Sequence, residues 1–129
     1  MMEAVRDKNP QALGVAEMDA AQERFLAQAA ALAEAGDTEF PPLFDALVED
    51  TRRRFDREGE LMRASAYPAW EEHDYEHRRI LEEMGHLTRR VAAGRVAMAQ
   101  AYVEGLPIWF ANHLETMDAP LAAWLKEQR

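Results

Sequence analysis

Two histidines and a glutamate with helical spacing are the residues of this sequence best suited to chemistry. His73 and His77 are four positions apart, and Glu58 lies upstream in a segment of similar character. Positions i and i+4 of an α-helix differ by about 40° around its axis, so both imidazoles can address one point. This arrangement is typical of metal ligands, but it also occurs in solvated or separately hydrogen-bonded histidines. The spacing alone leaves both alternatives open.

Further candidate ligands occur downstream. His113 is followed five residues later by Asp118, and Glu58 shares a helical face with Phe55 and Met62. Three histidines and two carboxylates from different helices can converge in the core of a helical bundle. The chain has no cysteine, which excludes thiolate ligands. Imidazole and carboxylate without thiolate favour iron, with zinc or manganese as alternatives.

The periodicity of apolar residues predicts the elements that position these side chains. Apolar residues recur at spacings of three or four, and no segment alternates as a strand would. The predicted helices cover residues of about 17–35, 40–64, 68–93 and 95–117, with a short helix at about 119–127 and an N-terminal arm at 1–16. Pro107 predicts a kink or bulge in the fourth helix. The expected fold is a single all-α domain over 1–129, an up-down-up-down antiparallel four-helix bundle.

Composition narrows the function further. The chain of 129 residues carries 24 acidic and 15 basic side chains, a net charge of −9. This charge argues against nucleic acid or an anionic membrane as a partner. No apolar run predicts a signal peptide or a membrane helix, so a cytoplasmic location is expected. No nucleophile–base pair or phosphate-binding loop is evident, so the prediction is that the protein is not an enzyme.

The chain resembles the hemerythrins, particularly the bacterial ones, along most of its length. The matching pieces are Gly14-Val15, Met18-Asp19, Phe55, Glu58, Met62, Tyr67-Pro68, His73, His77, Trp109, His113 and Asp118. The resemblance implies two non-haem irons bridged by a glutamate, an aspartate and a solvent-derived oxygen. One iron takes three histidines and the other takes two, and dioxygen binds to the second.

The resemblance carries over completely for only one of the two irons. The three-histidine iron corresponds to His73, His77 and His113, with Glu58 and Asp118 as the bridging carboxylates. The family's two other histidines are replaced, by Gln22 in the first helix and Arg54 in the second. His86 lies nine residues beyond His77, too far along the helix to compensate.

Arg54 therefore separates two interpretations. A guanidinium has only donors and stays protonated, so it cannot ligate a cation. It can replace a cation by facing the oxygens of Glu58 and Asp118, with Gln22 completing the network. One divalent metal, Arg54 and the two carboxylates carry the same net charge as two ferrous ions, the carboxylates and a hydroxide. The alternative turns Arg54 outward into a solvated ladder with Asp50 and Glu58.

Two neighbouring residues also have two interpretations each. Trp109 lies one turn before His113, either as the wall of a ligand pocket or as a core residue. Asp19 lies one turn before Gln22, either supporting the site or capping the first helix.

Three functional hypotheses follow. The first is a protein holding one iron, or zinc, that has lost or altered dioxygen carriage but can bind dioxygen or nitric oxide, or act in sensing. The second keeps two irons, with Gln22 or an unassigned carboxylate completing a weaker second site that still binds dioxygen. The third is a metal-free structural or interaction module, in which a hydrogen-bonded network holds the histidines with Arg54.

Overall fold

The computed structural model describes residues 12–128 and is helical throughout its regular elements. The helices are α1 (Ala16–Glu34), α2 (Phe40–Ser65), α3 (Trp70–Ala92), α4 (Ala97–His113) and α5 (Ala119–Glu127), with a π-helical turn at Leu114–Asp118. No strand occurs among the described residues. None of the described helices is both long enough and apolar enough to span a bilayer.

The four long helices form the predicted bundle. Helix α1 packs against α2 and α4, and α3 packs against the same two neighbours. Each helix therefore contacts the helices next to it in the chain, and α4 closes the ring against α1. This is the arrangement expected when short connections join antiparallel helices. The predicted all-α four-helix bundle is confirmed.

Local backbone chemistry explains where the helices end. After α2, Ala66 adopts a left-handed conformation with φ of 55°, and the Tyr67 N–H bonds back to the Met62 carbonyl at 3.0 Å. The chain then turns through Pro68, so α3 begins at Trp70 rather than at Pro68 as the sequence predicts. Gly94 does the same after α3, with φ of 82°, as its position predicts.

The irregularity of the fourth helix lies elsewhere than expected. Helix α4 continues through Pro107, and the chain departs from α-geometry only at Leu114–Asp118. Pro120 explains this position better than Pro107 does. A proline ring clashes with the carbonyl four residues before it, here that of Thr116, and a widened turn relieves the clash. The predicted single helix over 95–117 is therefore divided at His113.

The apolar core has two parts. The larger cluster fills the bundle on one side of the polar centre and includes Phe25, Phe44, Leu47, Phe55, Ile80, Met84 and Phe110. The smaller cluster lies on the other side and comprises Val15, Met18, Met62, Tyr67, Leu121 and Ala122. Along each long helix, buried polar residues interrupt these apolar layers: Gln22, Thr51, Glu58, His73, His77, His113 and Asp118.

The predicted N-terminal arm over 1–16 lies mostly outside the described residues. Its described end is held by side chains of two helices. Asp19 accepts hydrogen bonds from the Leu13 and Gly14 N–H groups at 2.7 and 3.2 Å. Lys126 of α5 donates to the Leu13 carbonyl at 2.7 Å. These contacts fix the chain where it enters α1.

Candidate metal centre

Three imidazoles converge inside the bundle. His73 and His77 project from successive turns of α3, and His113 projects from the last residue of α4. One ring nitrogen of each lies within 4.8 Å of those of the other two. All three side chains are buried, with 4% exposure or less. The i, i+4 spacing on α3 thus places the His73 and His77 rings at one point, and the neighbouring helix α4 adds the ring of His113.

Two carboxylates meet the imidazoles from the adjacent helices. Glu58 Oε1 on α2 lies 3.2 Å from His73 Nε2 and 3.0 Å from His77 Nε2. Asp118 Oδ1 lies 3.3 Å from His113 Nε2 and 3.6 Å from His73 Nε2. The structure therefore brings together the five residues expected for the three-histidine iron, in two overlapping groups that share His73.

Arg54 occupies the opposite side of the same carboxylates. Its Nε donates to Glu58 Oε2 at 3.1 Å, and its Nη2 donates to Asp118 Oδ2 at 2.7 Å. The Arg54 side chain is only 9% exposed. Its guanidinium carbon lies 5.3 Å from the centre of the Phe110 ring, a favourable position for a cation. The structure thus shows the inward orientation of Arg54.

The outward alternative for Arg54 is wrong, because the Arg54 side chain is 9% exposed and pairs with Glu58 and Asp118 but not with Asp50. Asp50 Oδ1 accepts from Arg53 at 2.6 Å, and Asp50 Oδ2 accepts from Gln28 at 3.0 Å. The charged ladder expected between Asp50, Arg54 and Glu58 therefore reduces to the inner pair between Arg54 and Glu58.

The π-helical turn is what brings Asp118 to the site. At about 100° per residue, two side chains five positions apart on an α-helix point in directions about 140° apart. Bonding from residue i to residue i+5 widens the turn and returns the fifth residue toward the starting face. His113 and Asp118 bracket this turn, so both face the centre. The five-residue spacing is evident in the sequence, but its connection to Pro120 was missed.

Aromatic rings hold two of the imidazoles in place. The Phe55 ring lies parallel to the His77 ring, with 3.7 Å between centroids and 4° between planes. Trp109 stacks on His113 at 4.9 Å and 20°. Trp109 is half-buried and also contacts Phe25 at 6.3 Å, so it is both a core residue and a wall against a site histidine. The ring contact of Phe55 was not foreseen.

The surroundings of the centre lower the pKa values of both Glu58 and His77, for different reasons. Burial by itself raises the pKa of Glu58, but its contacts with His73 and His77 and the charge of Arg54 lower that pKa well below its usual value. Burial lowers the pKa of His77, although Glu58 partly offsets the effect. At neutral pH these shifts favour an ionised Glu58 beside a neutral His77. A carboxylate and a neutral imidazole are the forms that bind metal.

Orphaned polar atoms show that the centre fits a cation. His77 Nε2, His113 Nε2 and Asp118 Oδ1 are buried, and although carboxylate or imidazole atoms lie 3.0–3.6 Å away, none of the three atoms forms a well-aligned hydrogen bond among the described residues. Such groups are costly unless something satisfies them. Donors bound to one cation at about 2.1 Å stand about 3.0–3.4 Å apart, close to the separations found here between imidazole and carboxylate atoms. The donor set of nitrogen and oxygen therefore fits one metal ion.

Comparison with known proteins agrees with this geometry. The family model described as the hemerythrin HHE cation-binding domain matches residues 13–125. The chain belongs to the hemerythrin family. It is 33% identical over 116 residues to a bacteriohemerythrin of Ralstonia nicotianae, an alignment covering 90% of this chain and 85% of that protein. No solved structure gives a significant match.

Three further residues considered in the sequence, Gln22, Asp19 and His86, lie at different distances from the centre of this hemerythrin domain. Gln22 is completely buried on α1, in the polar layer of the bundle. Asp19 instead accepts from the Leu13 and Gly14 N–H groups just before α1, which holds the entering chain but is not a helix cap, because α1 has no side-chain cap hydrogen bond. His86 is exposed and accepts a hydrogen bond from Arg90 at 3.3 Å, away from the centre.

Proposed function

We propose that this hemerythrin-family protein binds a single divalent cation, iron in preference to zinc, at the three-histidine position. His73, His77 and His113 would hold it together with Glu58 and Asp118. The observation that carries the proposal is the division of the two carboxylates. One oxygen of each faces the imidazoles, and the other oxygen of each accepts a hydrogen bond from Arg54.

Charge supports one cation rather than two. Glu58 and Asp118 are both buried, and Arg54 neutralises only one of their two charges. A buried net negative charge is unfavourable unless a cation accompanies it. One divalent ion supplies that charge. A second ion would have to displace the guanidinium or share its space.

The surrounding residues keep the centre dry and ordered. The ring of Phe55 covers His77, and the ring of Trp109 covers His113, so both imidazoles have little freedom to rotate. Iron held there would supply a redox-active Lewis acid that can bind dioxygen or nitric oxide. We propose a role in binding or sensing such a diatomic ligand, without an enzymatic reaction. Because the residues of the second iron are replaced, reversible dioxygen carriage is lost or altered.

Metal analysis of the purified chain tests this proposal. Protein prepared without added iron is expected to contain close to one equivalent of metal per chain. Two equivalents, or the absorption spectrum of an oxo-bridged pair of irons, would support the di-iron alternative instead. Protein that contains no metal and takes up none from ferrous or zinc salts would support a structural or interaction module.

A further inference from the structure

A cleft of about 370 Å³ opens between α1 and α2, directly outside Arg54. Its lining contains four arginines and three carboxylates, together with small and apolar residues of both helices. Arginines outnumber carboxylates by one in this lining, although the whole chain carries a net charge of −9. The hydrogen bonds of these groups indicate what the cleft can bind.

The carboxylate oxygens of the cleft already accept hydrogen bonds. Glu17 accepts from Arg57 with both oxygens, at 2.7 and 3.0 Å. Glu58 accepts from Arg54 with Oε2 and interacts with His73 through Oε1. Asp50, the third carboxylate, accepts with both oxygens as described above. The cleft therefore offers few acceptors to a ligand.

The cleft has more arginine N–H donors than its carboxylates use. Arg24 lines the cleft and forms no ion pair with a carboxylate among the described residues. Arg54 uses Nε and Nη2 for its two carboxylates, which leaves Nη1 without an ion-pair partner in the described part of the chain. Arg53 is bound to Asp50 only through Nη1. Guanidinium groups with unused N–H donors are suited to ligands rich in acceptor oxygens.

The guanidinium of Arg54 at the floor of the cleft is held in place, whereas the arginines at its rim are exposed. Arg54 is 9% exposed and held by two buried carboxylates, so its free nitrogen has a defined position. Arg24 and Arg53 are exposed side chains that can close over a ligand from the rim. The guanidinium of Arg54 below and the two exposed guanidinium groups above can contact an anion on several sides.

From these contacts we infer that the cleft is a binding site for a small oxyanion, the phosphate or carboxylate group of a small molecule. The ligand oxygens accept hydrogen bonds from Arg24, Arg53 and Arg54. The site goes beyond the proposed metal function and does not require a bound metal. Its volume admits a group larger than a single phosphate.

Calorimetric titration of the full chain tests the inference, with inorganic phosphate and acetate as separate probes. Ionic strength is held constant with sodium chloride, and both the protein as purified and the protein after metal removal are titrated. At least one probe is expected to bind saturably at one site per chain in both preparations. Binding of phosphate alone, or of acetate alone, identifies which oxyanion group the cleft prefers.

Matched arginine variants decide whether the binding is local. Arg24→Gln is expected to weaken binding by at least about tenfold, the effect of losing a charged hydrogen bond. Arg52→Gln, an exposed arginine of α2 outside the cleft, is expected to change binding less than about twofold. Absence of saturable binding for both probes would overturn the inference, and so would equal losses in the two variants. The metal content of the protein is measured separately, so failure here leaves the metal proposal standing.

Discussion

The two sides of one pair of carboxylates differ in the kind of charge they meet. On the side of α3 and α4, one oxygen of Glu58 and one of Asp118 face three imidazoles, whose free lone pairs can bind a metal. On the side of α1 and α2, the other two oxygens face Arg54, which is itself a cation. The difference is that a guanidinium supplies positive charge on one side, whereas the imidazoles on the other side offer lone pairs to a metal ion.

The largest expected effect comes from removing the cation built into the chain. Arg54→Met leaves Glu58 and Asp118 buried with no permanent positive partner, and it should lower the free energy of unfolding of metal-free protein by about 3–5 kcal/mol. Arg78→Met is the matched control, because Arg78 pairs with Asp74 at 3.0 Å with the same four-residue spacing but on the surface. That change should cost less than about 0.5 kcal/mol.

Urea denaturation of the two variants and the parent chain, all stripped of metal, provides the measurement. Similar losses in both variants would mean that Arg54 contributes no more than a surface residue. Arg54 would then not act as the cation that stabilises the buried carboxylates.

The imidazole side is expected to control metal affinity. His113→Ala removes a ligand that the other residues cannot replace, so the affinity for ferrous or zinc ions should fall at least about 100-fold, beyond the 10- to 100-fold typical of residues that only support ligands. His86→Ala removes an exposed histidine bonded to Arg90 and should leave affinity unchanged within about twofold. Competition with a chromophoric chelator measures both. A His86 effect as large as that of His113 would place the metal elsewhere.

The imidazole side should also make the metal-free protein sensitive to acid. The pKa of His77 is lowered by burial from 6.5, so below that pH the unfolded chain binds the proton more readily than the folded one. Glu58 acts in the same direction at lower pH, because its folded pKa lies well below 4.5 and its contribution disappears as pH falls through that folded value. Stability should therefore decrease as pH falls from about 6.5.

Unfolding midpoints in urea between pH 7.5 and pH 4 test this direction. A midpoint that stays constant or rises over the interval would contradict the assignment of a neutral, buried His77. The Arg54 side supplies a matched contrast, because a guanidinium stays protonated throughout this range.

The sequence predicts the bundle because its apolar spacing is helical almost everywhere. The position of the ligands along the helices follows from the same periodicity, as with His73 and His77 on α3. The inward orientation of Arg54 could be proposed from charge, but the choice against the outward ladder depended on Asp118 reaching Arg54 from 64 residues away in the chain. Such a choice among surface rotamers is not encoded in spacing.

The approach of Asp118 to His113 was the part least accessible from sequence. Five residues separate them, which on a regular helix would point the two side chains apart. The π-helical turn corrects this, and Pro120 supplies a steric cause for it. The irregularity predicted at Pro107 is wrong, because α4 accommodates that residue without interruption. The signal that could have located the turn was Pro120, whose ring would clash with the Thr116 carbonyl in a regular α-helix.

Anaerobic titration with ferrous iron, comparing the parent chain with the Arg54→His, Gln22→His double variant, tests the central claim most directly. If Arg54 stands in the place of a second metal, the parent chain should bind one iron per chain at saturation. The double variant, which restores an imidazole at each replaced position, should bind two. Two irons in the parent chain, or no gain in the double variant, would contradict the account.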